Sequence, residues 1–112
     1  MSGLFKDTKR TDFTGIELWN TSSVRTMNCM FVNAYKFNAD ISKWDVSNVR
    51  DMHCMFYKAY EFNADLSQWD TSNVKDMVFM FYFARKFNSD ISQWDVSNVR
   101  YMSSMFHWAD SF

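Results

Sequence analysis

Residues 44–68 read WDVSNVRDMHCMFYKAYEFNADLSQ, and this pattern recurs along the chain with a period of 25 residues. The copies open at Trp19, Trp44, Trp69 and Trp94, and each carries a Met-x-x-Met-Phe run in the same register. A fixed period of this size is typical of stacked arrays, because one unit cannot bury its apolar face alone. The repeat therefore predicts a binding or structural protein rather than an enzyme.

The pattern within one repeat predicts a short strand followed by a short helix. Residues 44–47 alternate apolar with polar side chains, as a half-buried strand does. From near Val49 onward the spacing is i, i+3, i+4 and i+7, which predicts one apolar helix face. That face consists of Met52, Met55, Phe56 and Ala59. The predicted fold is α/β, a leucine-rich-repeat-like right-handed solenoid of about four strand-plus-short-helix repeats.

The repeats follow an atypical N-terminal segment. Residues 1–18 are predicted to form a partial repeat that acts as an N-terminal cap, with Leu4 and Phe5 matching Met30 and Phe31 once one extra residue is allowed before Ile16. The repeats span 19–43, 44–68, 69–93 and 94–112, and the last of them is incomplete. We expect its C-terminal edge to be open, and to dock a second copy as a two-fold homodimer.

The composition excludes several classes of protein. With 47% apolar and 20% aromatic residues, the 112-residue chain can fill one core. Twelve basic and thirteen acidic residues give a net charge of -1, which leaves no global field to recruit nucleic acid or anionic lipid. No apolar run reaches the roughly 18 residues of a membrane helix. Residues 1–7 lack the basic start and apolar middle of a signal peptide, and no N-terminal cysteine is placed for lipidation.

Residues 62–77, FNADLSQWDTSNVKDM, followed by Met80 and Phe81, carry a family resemblance. They resemble the BspA-like leucine-rich repeat surface proteins, in the 25-residue variety of the mycoplasma lipoprotein type. The resemblance covers residues 19–112 and, more loosely, 4–18. It implies a leucine-rich-repeat fold, a cell-surface or extracellular location, and adhesion or partner binding.

An acidic column is the first candidate binding site. Asp45, Asp70 and Asp95 share one register position on the predicted strand wall, where like charges repel. The functional interpretation is a stripe that binds a ligand or cation. The alternative is a solvated column balanced by the basic residues five positions later, which are Arg25, Arg50, Lys75 and Arg100. Bound calcium is disfavoured, because it needs six to eight converging oxygens.

The second candidate site comprises the positions that vary between copies on the predicted helix face. Their aromatic members gather toward the C-terminal end, and exposed aromatic residues often mark an interface. The residues concerned are Tyr57, Tyr82, Phe83, His107 and Trp108. The alternative is that these rings lie flat against neighbouring helices.

Two further columns consist of asparagine and cysteine side chains. Asn38, Asn63 and Asn88 are interpreted as structural amides that satisfy backbone groups at the turns. Cys29 and Cys54 are predicted to be free thiols, since neighbouring helices stand roughly 8–10 Å apart, beyond the disulfide reach of about 4.4–6.8 Å between Cα atoms.

No catalytic or metal site emerges from the motifs. Cys29, His53 and Cys54 lack a fourth zinc ligand, and the chain has no nucleophile motif or Gly-rich phosphate loop. We therefore predict no catalytic residue, no metal and no cofactor.

Three functional hypotheses remain. The first is a non-enzymatic repeat protein that binds a protein or another macromolecule. The second is a self-assembling structural unit that associates through the open C-terminal edge. The third, nucleic-acid binding through the basic column, is disfavoured because neighbouring acidic residues cancel its field.

Overall fold

A computed structural model describes residues 1–112, and in it each repeat forms one layer of a stack. The only helix is a three-residue 3-10 turn, Ile16–Leu18. Strand pairing is limited to isolated parallel bridges, Thr26 with Asp51, Asp51 with Asp76, and Asp76 with Tyr101. The prediction of an α/β leucine-rich-repeat solenoid is therefore wrong: the repeats do stack, but they are built from turns. With a radius of gyration of 12.5 Å, the stack has the size of one compact domain.

Backbone hydrogen bonds join the layers along four ladder segments, residues 26–33, 51–58, 76–83 and 101–108. Every second amide N–H of a ladder segment donates to a carbonyl of the next layer. Between the first two segments, Met27, Cys29, Phe31 and Asn33 donate to Asp51, His53, Met55 and Tyr57 over 2.8–2.9 Å. The same pattern joins the second segment to the third and the third to the fourth. These bonds satisfy backbone groups that would otherwise be buried without partners.

The intervening amides close turns within each layer. Met30 N–H donates to the Met27 carbonyl over 3.2 Å, and Ala34 N–H donates to the Phe31 carbonyl over 3.0 Å. The third residue of these two turns has a positive φ, 55° at Cys29 and 58° at Asn33, which makes them type II turns. The turn between them, closed by Val32 N–H on the Cys29 carbonyl, has no positive φ at its third residue. Type II turns favour glycine or asparagine at that position, so most residues found there adopt an unfavourable conformation. They are Cys29, Cys54, Lys58, Phe79, Phe83, Ser104 and Trp108.

This turn ladder explains why a helix was predicted wrongly from Val49 onward. The four residues of the predicted apolar face, Met52, Met55, Phe56 and Ala59, are all completely buried. A run of turns whose amides alternate between the layer and its neighbour therefore points the same residues inward as a helix does. Hydrophobic spacing identifies the inward face but does not distinguish between the two backbones.

The predicted strand at residues 44–47 is also absent, and side chains rather than backbone ladders join the layers there. The Trp44 indole N–H donates to the Ile16 carbonyl over 2.9 Å, and Thr21 Oγ1 donates to the Asp45 carbonyl over 2.9 Å. Asn48 Nδ2 donates to the Ser22 carbonyl over 2.7 Å. The later repeats repeat the Trp and Asn contacts.

Stacked aromatic rings fill the core. In one column, Phe31, Phe56, Phe81 and Phe106 lie nearly parallel with centroids 5.5–5.6 Å apart. A second column contains Phe37, Phe62, Phe87 and Phe112 at 5.5–6.0 Å. Each such pair is worth about 0.5–1.5 kcal/mol beyond its buried area. Each layer from the second onward thus adds one ring to each column.

The N-terminal residues lie in register with the first complete layer. Gly3 and Phe5 N–H groups donate to the Asn28 and Met30 carbonyls over 2.9 and 2.8 Å, and the Phe5 ring stacks on Phe31 at 5.6 Å. Gly3 has a φ of 61°, as Cys29 has 55°. Residues 1–8 therefore align with a ladder segment. Nowhere in the structure is there a helix of the length and apolar character needed to span a bilayer.

Candidate functional site

The acidic column has a structural role in turns. Asp45 Oδ1 accepts from Ser47 N–H at 3.0 Å and from Ser47 Oγ at 2.6 Å, and Asp70 accepts the same two bonds from Ser72. Asp95 accepts from Ser97 N–H at 2.9 Å. The serine hydroxyl bond, followed by the amide bond, lowers the pKa of each carboxyl below its usual value.

Repulsion within the acidic column is the weaker influence. The charges of Asp95 and Asp45 raise the pKa of Asp70, yet the hydrogen bonds from Ser72 outweigh them. In the first copy Asn20 Oδ1 accepts the equivalent bonds from Ser22, at 3.1 Å from N–H and 2.7 Å from Oγ. The turn therefore requires a side-chain oxygen rather than a charge. Ligand binding by this column stays a prediction, and no ion pair joins it to the basic column.

The asparagine column connects successive layers. Asn63 N–H donates to Asn38 Oδ1 over 2.8 Å, and Asn88 N–H donates to Asn63 Oδ1 over 2.7 Å. This bears out the predicted structural role, although the amides are exposed rather than buried. Beside them runs an open polar groove of about 330 Å³, lined by Asn63, Asp65, Ser67, Asn88, Ser89 and Asp90. No group of three or more His, Cys, Asp or Glu side chains converges there or elsewhere as metal ligands would.

The variable positions form one contiguous surface, here called the aromatic patch: Tyr57, Tyr82, Phe83, His107 and Trp108. Tyr82 stacks between Tyr57 at 4.9 Å and His107 at 5.4 Å. Phe83 stacks on Trp108 at 5.5 Å. Edge-to-face contacts between Tyr82 and Phe83 at 5.0 Å, and between His107 and Trp108 at 5.1 Å, join the two columns. All five residues predicted from the sequence are therefore brought together.

Ring stacking decides which surfaces of the aromatic patch are free. Tyr57, Tyr82 and Phe83 are half-buried, because their faces lie between layers and mainly their edges reach solvent. His107 and Trp108 belong to the last layer and are stacked on one face only. The Trp108 residue is 54% exposed. The rings thus lie flat on rings of neighbouring layers, not on helices, while His107 and Trp108 remain exposed. A role of this surface as an interface stays a prediction.

Two cations beside the aromatic patch were missed in the sequence. Lys58 Nζ lies 5.8 Å from the centroid of the Phe83 ring, and the Arg85 guanidinium lies 5.7 Å from it. Arg85 also lies 4.8 Å from the Tyr60 ring. Such cation-π contacts are worth about 0.5–1 kcal/mol at exposed sites. Register could have found them, since Lys58 lies one period before Phe83 and Arg85 one period after Tyr60.

The two cysteines are free, but the distance argument used to predict this is wrong. Without helices, successive layers are one backbone hydrogen bond apart, and Cys29 N–H donates to the His53 carbonyl over 2.8 Å. Burial first, and then the neighbouring Cys29, raises the pKa of the Cys54 thiol to about 12. Cys54 is therefore held in its protonated, unreactive form.

Comparison with protein families gives one result over the whole chain. Residues 1–112 match the model described as "Mycoplasma protein of unknown function, DUF285". The chain belongs to the DUF285 family. Comparisons with curated proteins and with solved structures found no match. Family membership therefore assigns no activity.

Proposed function

We propose that this DUF285 protein is a non-enzymatic binding module whose aromatic patch docks a macromolecular partner. The observation that supports this proposal is the exposure of Trp108 within the aromatic patch. Trp108 is 54% exposed and is stacked on one ring face only. The resemblance to BspA-like surface proteins supports adhesion as the context. The stacked repeats support the non-catalytic part of the proposal, since each layer reproduces the same structural contacts.

The aromatic patch has the physical properties of a binding hot spot. Its rings are already fixed by stacking, so little side-chain entropy remains to be lost when a partner docks. Aromatic side chains in partly desolvated clusters often dominate the energy of protein interfaces. Lys58 and Arg85 add positive charge beside the rings. The preferred partner is therefore a protein surface that combines apolar side chains with acidic ones.

Binding to purified extracellular matrix proteins, measured by biolayer interferometry, tests this proposal. Replacing Trp108 by Ser should weaken binding about 30-fold, the effect of losing roughly 2 kcal/mol at a hot spot. The control replaces Gln93 by Ala, because Gln93 is exposed and does not belong to the patch. Binding that is equally strong in wild type and Trp108→Ser, or weakened equally by both changes, would reject the aromatic patch as the docking surface. No binding by the wild type across an acidic and a basic set of such proteins would reject adhesion.

A further inference from the structure

The ladder segments give the stack a direction. Every interlayer bond made by alternate amides from Met27 to Asn33 points from one layer to the following one, and the later segments repeat this direction. Along the ladder segments, one face of the stack therefore presents N–H groups and the opposite face presents carbonyls, although single amides elsewhere, such as Arg50 and Lys75, donate in the reverse direction. This polarity belongs to the backbone and does not depend on which side chains occupy the layer.

At the C-terminal face, four alternate amides have no hydrogen-bond acceptor. They are the equivalents of the amides that link the earlier layers: Met102, Ser104, Phe106 and Trp108. The side chains around them are also uncovered, with Tyr101 60% exposed and Phe112 51% exposed. This face has the same donor spacing as every internal boundary of the stack.

The N-terminal face is complementary. The carbonyls of Ser2, Leu4 and Lys6 accept no hydrogen bond, whereas the amides of Gly3 and Asp7 donate inward to the next layer. Because Gly3 aligns with Cys29, these three carbonyls occupy the positions that Asn28, Met30 and Val32 occupy as acceptors. The acceptors alternate along residues 2–6 with the same period as the donors along residues 104–108.

We propose that copies of this chain associate head to tail, the C-terminal face of one copy bonding to the N-terminal face of the next. In the register of the internal layers, Ser104, Phe106 and Trp108 N–H groups would donate to the Ser2, Leu4 and Lys6 carbonyls of the second copy. The Phe5 ring of that copy would stack on Phe106, continuing the column in which Phe5 already stacks on Phe31 at 5.6 Å. The occupant of the face is thus a second copy. In this register Asp7 of that copy would lie over the free ring face of Trp108, as Asp7 lies beside Asn33 within the chain, so this ring face is open to another partner only where no second copy is bound.

The two-fold dimer expected from the sequence does not fit this backbone. Joining two C-terminal faces would place N–H groups opposite N–H groups, and buried donors without acceptors are costly. A head-to-tail contact instead pairs two different faces, which leaves one face of each kind free at the ends. Such a contact generates open chains of subunits unless it closes into a ring.

Sedimentation velocity over a range of protein concentrations tests association. Leu4 is 52% exposed in the single chain and would enter the contact, so Leu4→Lys should weaken association at least about tenfold by placing a charge there. The matched control is Leu18→Lys, because Leu18 is 83% exposed and has the register position that exposed Lys43, Gln68 and Gln93 occupy in later layers. A wild-type chain that remains monomeric at every concentration would overturn the proposal. So would equal weakening by the two substitutions.

Mixing single-face variants tests the polarity. Leu4→Lys blocks the N-terminal face, and Met102→Lys, at a residue 43% exposed, blocks the C-terminal face. Each variant alone should be monomeric, and a mixture should form a one-to-one dimer through the two intact faces. A Leu4→Lys variant that dimerises by itself would show two-fold pairing. Hydrogen exchange in the wild type should slow at Ser104, Phe106 and Trp108 as concentration rises, but not at Met102, which has no opposing carbonyl in this register.

Discussion

Substitution by glycine is expected to stabilise the fold at Ser104 and to destabilise it at the neighbouring Ser103, because only Ser104 has a positive φ. Ser104 has a φ of 54° at the third position of a type II turn, and its side chain is exposed. An L-residue in this left-handed conformation costs roughly 1–2 kcal/mol, whereas glycine adopts it freely. In the first layer, the same register position is occupied by Gly3, with a φ of 61°.

The size of the effect follows from two opposing contributions. Ser104→Gly removes the left-handed cost but adds about 0.5–1 kcal/mol of chain entropy to be lost on folding. The net result should be a gain of about 0.5–1 kcal/mol in the free energy of unfolding. Ser103→Gly brings the entropy cost alone, because Ser103 has no positive φ, and should lose about 0.5–1 kcal/mol.

Urea unfolding followed by tryptophan fluorescence, at protein concentrations low enough to exclude association, measures both changes. Ser104→Ala serves as a further control, because alanine shortens the side chain and keeps the left-handed cost. It should leave the midpoint almost unchanged. If Ser104→Gly and Ser103→Gly shift the midpoint in the same direction, the turn assignment at residues 102–105 is wrong.

Three other predictions concern the core and the titrating groups. Phe56→Ala should lower the free energy of unfolding in urea by about 3–5 kcal/mol, since Phe56 is completely buried and stacks on Phe31, Phe62 and Phe81. A decrease no larger than that caused by Lys58→Ala would contradict this packing. The carboxyl groups of Asp45, Asp70 and Asp95 have a lower pKa in the folded than in the unfolded chain, so the stability they contribute above about pH 3.8 should be lost as the pH falls further. Changing all three to Asn should flatten this pH dependence. An unchanged acid unfolding profile would exclude these carboxyl groups as its source. The raised pKa of Cys54 affects stability at alkaline pH. Above about pH 9 the unfolded chain releases the thiol proton while the folded chain retains it, so the free energy of unfolding should decline toward pH 12. Cys54→Ser should remove part of that decline, and an unchanged alkaline profile would exclude the thiol as its source.

The sequence register predicted which residues meet across layers, even though the backbone was predicted wrongly. Residues 25 apart stack whether a layer is built from helices or from turns. The 25-residue spacing of Tyr57, Tyr82 and His107 therefore sufficed to predict that these three rings of the aromatic patch lie together. The same argument recovered the inward Met and Phe residues. Periodicity therefore identifies neighbours more securely than it identifies secondary structure.

The turn-built backbone itself had no clear local signature. Type II turns are normally recognised by glycine or asparagine at the third position, yet Cys54, Phe79 and Ser104 occupy it here. Only Asn33 and Gly3 fit the rule. Interlayer hydrogen bonds and ring stacking impose the left-handed conformation on the others, so it follows from the array and could not be predicted from any single repeat.

The Trp indole bond has a consequence for how such a chain can change in length. The indole N–H of Trp44, Trp69 and Trp94 donates to a carbonyl 28 residues earlier, while ladder amides donate to carbonyls 24 residues later. Each boundary is therefore closed by contributions from both adjoining layers, and the ladder and indole bonds recur at every internal boundary. Deleting residues 44–68 would let Trp69 donate to the Ile16 carbonyl and would keep the ladder and indole bonds at every remaining boundary, although both ion pairs would be lost. The shortened chain should therefore still unfold cooperatively, at a lower temperature. Whole repeats can thus be gained or lost by duplication and deletion while these backbone and indole bonds are preserved, whereas inserting a single residue within a ladder segment would misplace every donor after it.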